Sequence, residues 1–232
     1  AELQAQIDEK VAELAPYVEK LAENPNALKV GSRLFLQNCA VCHGSNAKGA
    51  AGYPNLTDND WLYGGEAANI LTTLHNGRVG GMTAWRDQIG EDGVRAVSEY
   101  VLSISGNQPG YELDKAKVTQ GEAIFNEPTN CVLCHGPDAK GMTSTGAPNL
   151  TDKIWLYGGD RETIRETVRY GRAGVMPEWE TKLGNERIML LAAYVYSLSD
   201  RSAQPAKAKT VSAPAPQAAT TATATAETTA AN

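Results

Sequence analysis

Cys39, Cys42 and His43 stand in the stretch NCAVCHGSNAKG at 38–49, and Cys131, Cys134 and His135 stand in NCVLCHGPDAKG at 130–141. Together they use all four cysteines of the 232-residue chain and two of its three histidines. Two thiols three positions apart with an imidazole beside them admit three chemistries. A zinc ribbon pairs Cys-x-x-Cys knuckles that lie about 15–20 residues apart; these two lie 92 residues apart. A redox dithiol works from a thioredoxin-like βαβ setting, and the chain shows no clear alternating strand pattern. The third is covalent attachment of a c-type haem, with both thiols bonded to the porphyrin and the histidine binding the iron from one side. Two phrases then mean two haems, held by Cys39 and Cys42 and by Cys131 and Cys134, with His43 and His135 as proximal ligands.

The sixth position on each iron decides the chemistry. An open site suits O₂ or peroxide, and a filled one leaves electron transfer. Met82 and Met176 match across the copies, each after a Gly-Arg step, and a thioether is a soft ligand that raises the potential. Met82 is followed by Thr83 where Met176 is followed by Pro177, so the first loop is expected to be looser and its haem more exposed. Met142 and Met189 have no counterpart in the first copy and read as packing residues. His75, matched by Arg169, reads as a surface residue on a helix rather than a ligand. A ligating histidine usually gives its second ring N–H to a carbonyl, and Pro54 and Pro148, each opening a PNL turn, are the candidates. Arg78, Trp61 and Tyr63, with Arg172, Trp155 and Tyr157, are donors able to pair with haem propionates. Trp85 and Trp179 are expected to wall the haem pockets.

These residues are positioned by a tandem duplication. PNLTDNDWLYGG (54–65) returns as PNLTDKIWLYGG (148–159), and the offset of 94 carries Arg78 onto Arg172, Met82 onto Met176 and Tyr100 onto Tyr194. Apolar residues at helical spacing run through NPNALKVGSRLFL, EAANILTTLHNG and EDGVRAVSEYVLSIS, and through their second copies. Gly77 and Gly171 are the expected stops of the middle helices. The fold class expected is all-α: two tandem class I cytochrome c-like domains, each around one covalently attached haem c. A module of this size gains stability from the porphyrin, because a core under about 70–80 residues supplies only about 3–5 kcal/mol. Domain bounds are expected at 26–105 and 118–202, joined by a linker at 106–117. An amphipathic helical lead-in covers 1–25, with Pro16 expected to break or restart it. The Ala/Thr/Pro-rich tail at 203–232 is expected to be disordered.

Lys and Arg number 21 against 27 Asp and Glu, a formal charge of −6. That balance argues against nucleic acid as a partner and suits a partner with a positive docking patch. No run of eighteen apolar residues offers a membrane span. No Ser-His-Asp set, carboxylate pair or phosphate loop suggests catalysis by the chain itself.

With NCAVCHG…PNLTDNDWLYGG…NGR…M followed by NCVLCHG…APNLTDKIWLYGG…YGR…MPEW, the chain resembles the dihaem subunit III (CcoP/FixP type) of cbb3-type cytochrome c oxidases over roughly residues 26–200. The resemblance implies the periplasmic part of that subunit, on the outer face of a Gram-negative inner membrane. It implies electrons accepted from donor cytochromes c and passed, with other oxidase subunits as partners, toward an O₂-reducing haem–copper centre. It also implies membrane contact only through an N-terminal anchor outside this stretch. Two alternatives are a free soluble dihaem shuttle of the cytochrome c4 type and a dihaem peroxidase, which needs one iron open or displaceable.

Overall fold

The computed structural model describes residues 2–105 and 112–199. The expected tail and the first half of the expected linker therefore lie outside the described residues. The chain runs through α1 (Glu2–Leu21), α2 (Pro25–Asn38), α3 (Ala40–His43), α4 (Ala67–Asn76), β1 (Arg78–Met82) and α5 (Arg86–Ile104). The second copy follows with α6 (Lys115–Phe125), α7 (Val132–His135), α8 (Arg161–Tyr170), β2 (Arg172–Met176), α9 (Glu180–Leu183) and α10 (Asn185–Tyr196).

The local reasons are legible at several ends. The Asn24 side chain accepts from the Asn26 and Ala27 amides, and Pro25 occupies the first helical position, so α2 starts there. Asp114 and Asp160 cap α6 and α8 in the same way. Thus α6 begins inside the stretch expected to be linker. Gly77 and Gly171 end α4 and α8 at φ 67° and 72°. Pro16 does not break α1; the helix runs through it. Val11 and Val18, on either side of it, are both buried in the core, and that burial offsets the lost backbone bond.

The helices were expected but the two strands were not. RVGGM and RAGVM lack clear alternation and hold a single β-branched residue each, Val79 and Val175, yet β1 and β2 pair antiparallel with Gly80 opposite Gly174 at the centre.

The sequence repeats are not the packing units. Gly31 of α2 lies so close to α10 that a Cβ would run into the Leu190 carbonyl oxygen and come within 2.6 Å of Tyr194 Cβ. Gly121 of α6 meets Ala96 and Tyr100 of α5 in the same way. The aromatic pairs repeat this arrangement: Phe35 with Tyr194 at 5.5 Å, and Phe125 with Tyr100 at 5.3 Å between ring centroids. Each C-terminal helix therefore crosses the first helix of the other copy. One core gathers Phe35, Leu71 and Leu74 with Ile188 and Leu191, and the other gathers Val94, Val97 and Leu102 with Phe125 and Ile164. The chain crosses from the first core to the second at β1 and returns at β2, and the two crossing strands pair. Helix α1 adds Val11 and Val18 to the first core. Among the described residues no helix is long and apolar enough to cross a membrane.

Candidate functional site

Each Cys-x-x-Cys-His phrase forms one tight helical turn. The His43 amide donates to Cys39 O and the His135 amide to Cys131 O, both at 2.9 Å. Gly44 and Gly136, at φ 76°, end these turns, and the chain folds back so that Gly49 and Gly141 amides donate to the His43 and His135 carbonyls at 2.8 Å. A Cβ on Gly49 or Gly141 would strike the backbone at Pro54 or Pro148, so glycine there lets the PNL turn close over the histidine. His43 Nδ1 donates to Pro54 O and His135 Nδ1 donates to Pro148 O, each at 3.0 Å. The two-residue-longer second loop reaches the same bond, because the extra residues lie in its outer bend.

Both imidazoles are buried, and burial lowers their pKa against the opposing pull of the carbonyl bond. A neutral ring with Nδ1 committed to a carbonyl presents a bare Nε2, the state in which histidine binds a metal. Cys39 and Cys131 are buried, with burial pushing each thiol up to about 11. This is opposite to the lowered thiol pKa of a working exchange dithiol.

The structure assembles two sets of candidate residues, each drawn from both copies. Met176 and Trp179 pack on the core that holds Cys39, together with Trp61. Met82 and Trp85 pack on the core that holds Cys131, together with Trp155. The sequence reading set Met82 with the first phrase; the exchange at the ribbon carries it to the second. Main-chain bonds fix this arrangement, from the Trp179 amide to Leu74 O at 2.9 Å and from the Trp85 amide to Val168 O at 3.0 Å. Arg78 lies opposite Met176 on the ribbon. Its Nε donates to Thr73 Oγ1 at 2.9 Å, and its guanidinium lies 4.6 Å over the Tyr63 ring. Arg172 repeats this opposite Met82, with Thr167 and the Tyr157 ring.

The donor set fits a haem. Trp155 Nε1 is enclosed without a hydrogen-bond partner, an orphaned donor of the kind that an arriving acceptor satisfies. Trp155 and Tyr157 also line a cavity of about 350 Å³ shared with Tyr53, Pro54 and Asp60 of the first copy.

Three features escaped the sequence reading. Tyr63 packs on Gly146 of the second loop and Tyr157 on Gly52 of the first, positions that a Cβ would crowd. Asp58, Asp60 and Asp152 interact between the copies, and Asp60 is pushed up to about 6 by burial and then by the two neighbouring carboxylates. His75 is not on the surface but is 6% exposed, and its Nδ1 lies 3.2 Å from Glu180 Oε2. The doubled aspartate of NLTD was a visible signal for the acidic cluster, whereas nothing along the chain linked residue 75 to residue 180. Met142, expected to pack, is 37% exposed.

The family described as "Cytochrome C oxidase, cbb3-type, subunit III" matches residues 26–101 and 116–195. The chain is 42% identical over 210 residues to the cbb3-type cytochrome c oxidase subunit CcoP of Rubrivivax gelatinosus, covering 85% of this chain and 66% of that protein. It is 44% identical over 194 residues to the CcoP subunit of Cereibacter sphaeroides, covering 77% and 64%. With the FixP subunit of Bradyrhizobium sp. strain ORS 278 it shares 47% identity over 180 residues, covering 72% and 60%. The chain thus spans less than two thirds of the length of each of these relatives. It belongs to the family of subunit III of cbb3-type cytochrome c oxidases.

Proposed function

We propose that the chain is a dihaem c-type electron carrier that serves a cbb3-type oxidase, accepting electrons from donor cytochromes c and passing them toward the O₂-reducing subunit. The observation that carries this reading is the pair of buried imidazoles, each with Nδ1 tied to a proline carbonyl and each in one turn with a cysteine that shares a core with a methionine from the other copy. Cys39 and Cys42 hold one haem and Cys131 and Cys134 the other. His43 with Met176 would hold one iron and His135 with Met82 the other, so each cytochrome c unit would draw on both repeats. Haem c, when bound, supplies reversible one-electron chemistry at iron.

The protein's share is to hold, orient and enclose. Carbonyl bonds at Pro54 and Pro148 fix the two rings and increase their basicity. Met176 and Met82, as thioether ligands, would raise the potential and keep O₂ and peroxide from the iron, so the chain would carry electrons rather than catalyse by itself. Arg78, Trp61 and Tyr63, and Arg172, Trp155 and Tyr157, bind the propionates. Packing of each tyrosine on the other copy's loop supports two haem units held in fixed relation. The names of the relatives support the remaining oxidase subunits as partners; the periplasmic face of the inner membrane as the place of work is what the family resemblance implies.

The test is purification from host membranes in mild detergent. Co-purification of b-type haem and O₂ consumption is the expected result. A protein that comes away alone, without b haem or O₂ reduction, would replace the oxidase reading with a free dihaem shuttle. Peroxide turnover together with a high-spin haem signal would instead favour a peroxidase.

A further inference from the structure

His75 ends α4 in the first core, and Glu180 opens α9 four residues beyond Met176. The 3.2 Å contact between them adds to the main-chain bond from Trp179 to Leu74, so the segment bearing Met176 is tied twice to α4. Glu180 has a further partner. With its amide nitrogen facing α9, Asn185 donates to Glu180 Oε1 at 3.1 Å, and its oxygen accepts from Lys10 Nζ at 3.1 Å. The charged groups brought to His75 are therefore Glu180 from α9 and, through Asn185 of α10, Lys10 from α1. Of the other charges near α9, Lys182 stands 4.7 Å over the Trp179 ring and Glu178 accepts from the Thr181 amide at 3.2 Å.

The second core solves the same junction differently. At the offset of 94, Arg169 stands for His75, Arg86 for Glu180 and Glu91 for Asn185. Arg169 donates to both oxygens of Glu91 at 2.8–3.1 Å, and Arg86 Nε lies 3.0 Å from the same carboxylate. The carboxylate has changed position, and two guanidiniums have replaced one imidazole. A guanidinium keeps its charge at every working pH, whereas imidazole is the side chain whose charge changes near neutrality. Burial also differs: the His75 side chain is 5% exposed, against 25% for Arg169. Water screens the second latch more than the first.

We propose that His75 is a positioning residue for Met176, and that its bond to Glu180 is a proton-dependent latch that makes one haem site respond to pH while the arginine-latched site does not. The proposal rests on the reading that Met176 and Met82 are axial ligands. Protonated, the pair is a charge-assisted hydrogen bond that holds the Met176 segment and places a positive charge beside that unit. Deprotonation removes this charge, which favours the oxidised iron. The potential of the His43 haem therefore falls as pH rises.

The experiment is a spectroelectrochemical titration of the holoprotein, with both haems resolved, across a series of pH values. The wild type, His75→Arg and Glu180→Gln are compared, with the thioether-to-iron charge-transfer band recorded for each. His75→Arg installs the second unit's own residue, and Glu180→Gln changes a side chain that is 46% exposed, so a folded protein is secured by at least one. The expected result is a pH-dependent potential for one haem, with that dependence lost in His75→Arg and displaced to lower pH in Glu180→Gln while sulfur ligation persists. Asp60 titrates in all three proteins alike and cancels from the comparison. Unchanged pH dependence in both variants, with sulfur ligation intact, would overturn the latch alone. A wild-type spectrum lacking sulfur ligation at either haem would overturn the ligation reading and the latch with it.

Discussion

Met82 and Met176 lie at opposite ends of one two-stranded ribbon, and each faces the arginine of the other repeat across the ladder, Met82 with Arg172 and Met176 with Arg78. At about 3.4 Å per residue, four residues of antiparallel strand set the two methionine backbones about 14 Å apart. The chain cannot complete either unit without passing through this ribbon.

Ligand assignment follows first from this relationship. In the reduced protein, Met176→Ala should abolish the ring-current-shifted methionine methyl signal that shows proximity to the haem bound at Cys39 and Cys42, and should lower that haem's potential. The Met82 signal should remain with the haem at Cys131 and Cys134. Nuclear Overhauser contacts from the Met82 methyl to the haem at Cys39 would show that the exchange is wrong.

A second expectation concerns the half-chain. A chain ending after residue 105 keeps both thiols and His43 but lacks Met176 and α10, which supplies Ile188 and Leu191 to the first core. It should fail to give a stable, sulfur-ligated haem. Cooperative unfolding of this half with an intact thioether band would mean that each repeat closes on itself.

How far the sequence revealed this arrangement depends on which distances it encodes. The Cys-x-x-Cys-His turns and the PNL carbonyls were legible because each lies within a short run, 11 residues from His43 to Pro54 and 13 from His135 to Pro148. Helix positions were legible from apolar spacing. Which repeat a methionine serves was not, because Met82 and Met176 are equivalent by offset and only the packing of α5 and α10 separates them. The strands were hidden by Gly80, Gly81 and Gly174, which have no side chain to alternate; only at Gly80 would a Cβ press on a neighbour, the Tyr63 hydroxyl at 3.1 Å. His75 read as a surface residue because its partner is 105 positions away on a segment folded back by the exchange.

Gly77 tests the approach of the Met176 segment from the other side. Its φ of 67° and ψ of −172° belong to a region open essentially to glycine alone, and a Cβ would strike the Met176 carbonyl. Gly77→Ala should destabilise the fold by about 1–3 kcal/mol and weaken the thioether band of the His43 haem, although residue 77 belongs to the copy that carries Met82. Denaturant unfolding and the optical spectrum, read together, check it. A stable protein with an unaltered spectrum would contradict the close contact.

Gly31 and Gly121 probe the helix crossings. Gly31→Ala forces α2 away from α10, and Gly121→Ala forces α6 away from α5. Overpacking of this kind costs about 1–3 kcal/mol. Each variant should lower the melting temperature, with loss of the thioether-to-iron band on heating beginning at the altered unit. Simultaneous loss of both thioether bands at the wild-type temperature in both variants would argue against these crossings as the closure of the cores.

The acidic cluster gives the last prediction, with its sign set by Asp60. Its carboxyl is raised from 3.8 to about 6 by burial, then by Asp152 and Asp58. The folded state therefore holds a proton that the unfolded state has already released. Stability from this group is full below the unfolded value and is lost as pH rises from about 4 through about 6. Asp60→Asn removes the charge while preserving the shape and should flatten the stability profile across that window. Because Asp60 is only half-buried, water screens the repulsion and holds the gain at neutral pH to about 1 kcal/mol or less. The second copy carries Ile154 at this position, so the site accommodates an uncharged side chain. Melting curves of the wild type and Asp60→Asn at pH 4 and pH 7 decide it: the two proteins should converge at the lower pH and separate at the higher, with the variant more stable, and parallel curves would mean that neither burial nor the neighbouring carboxylates raise Asp60.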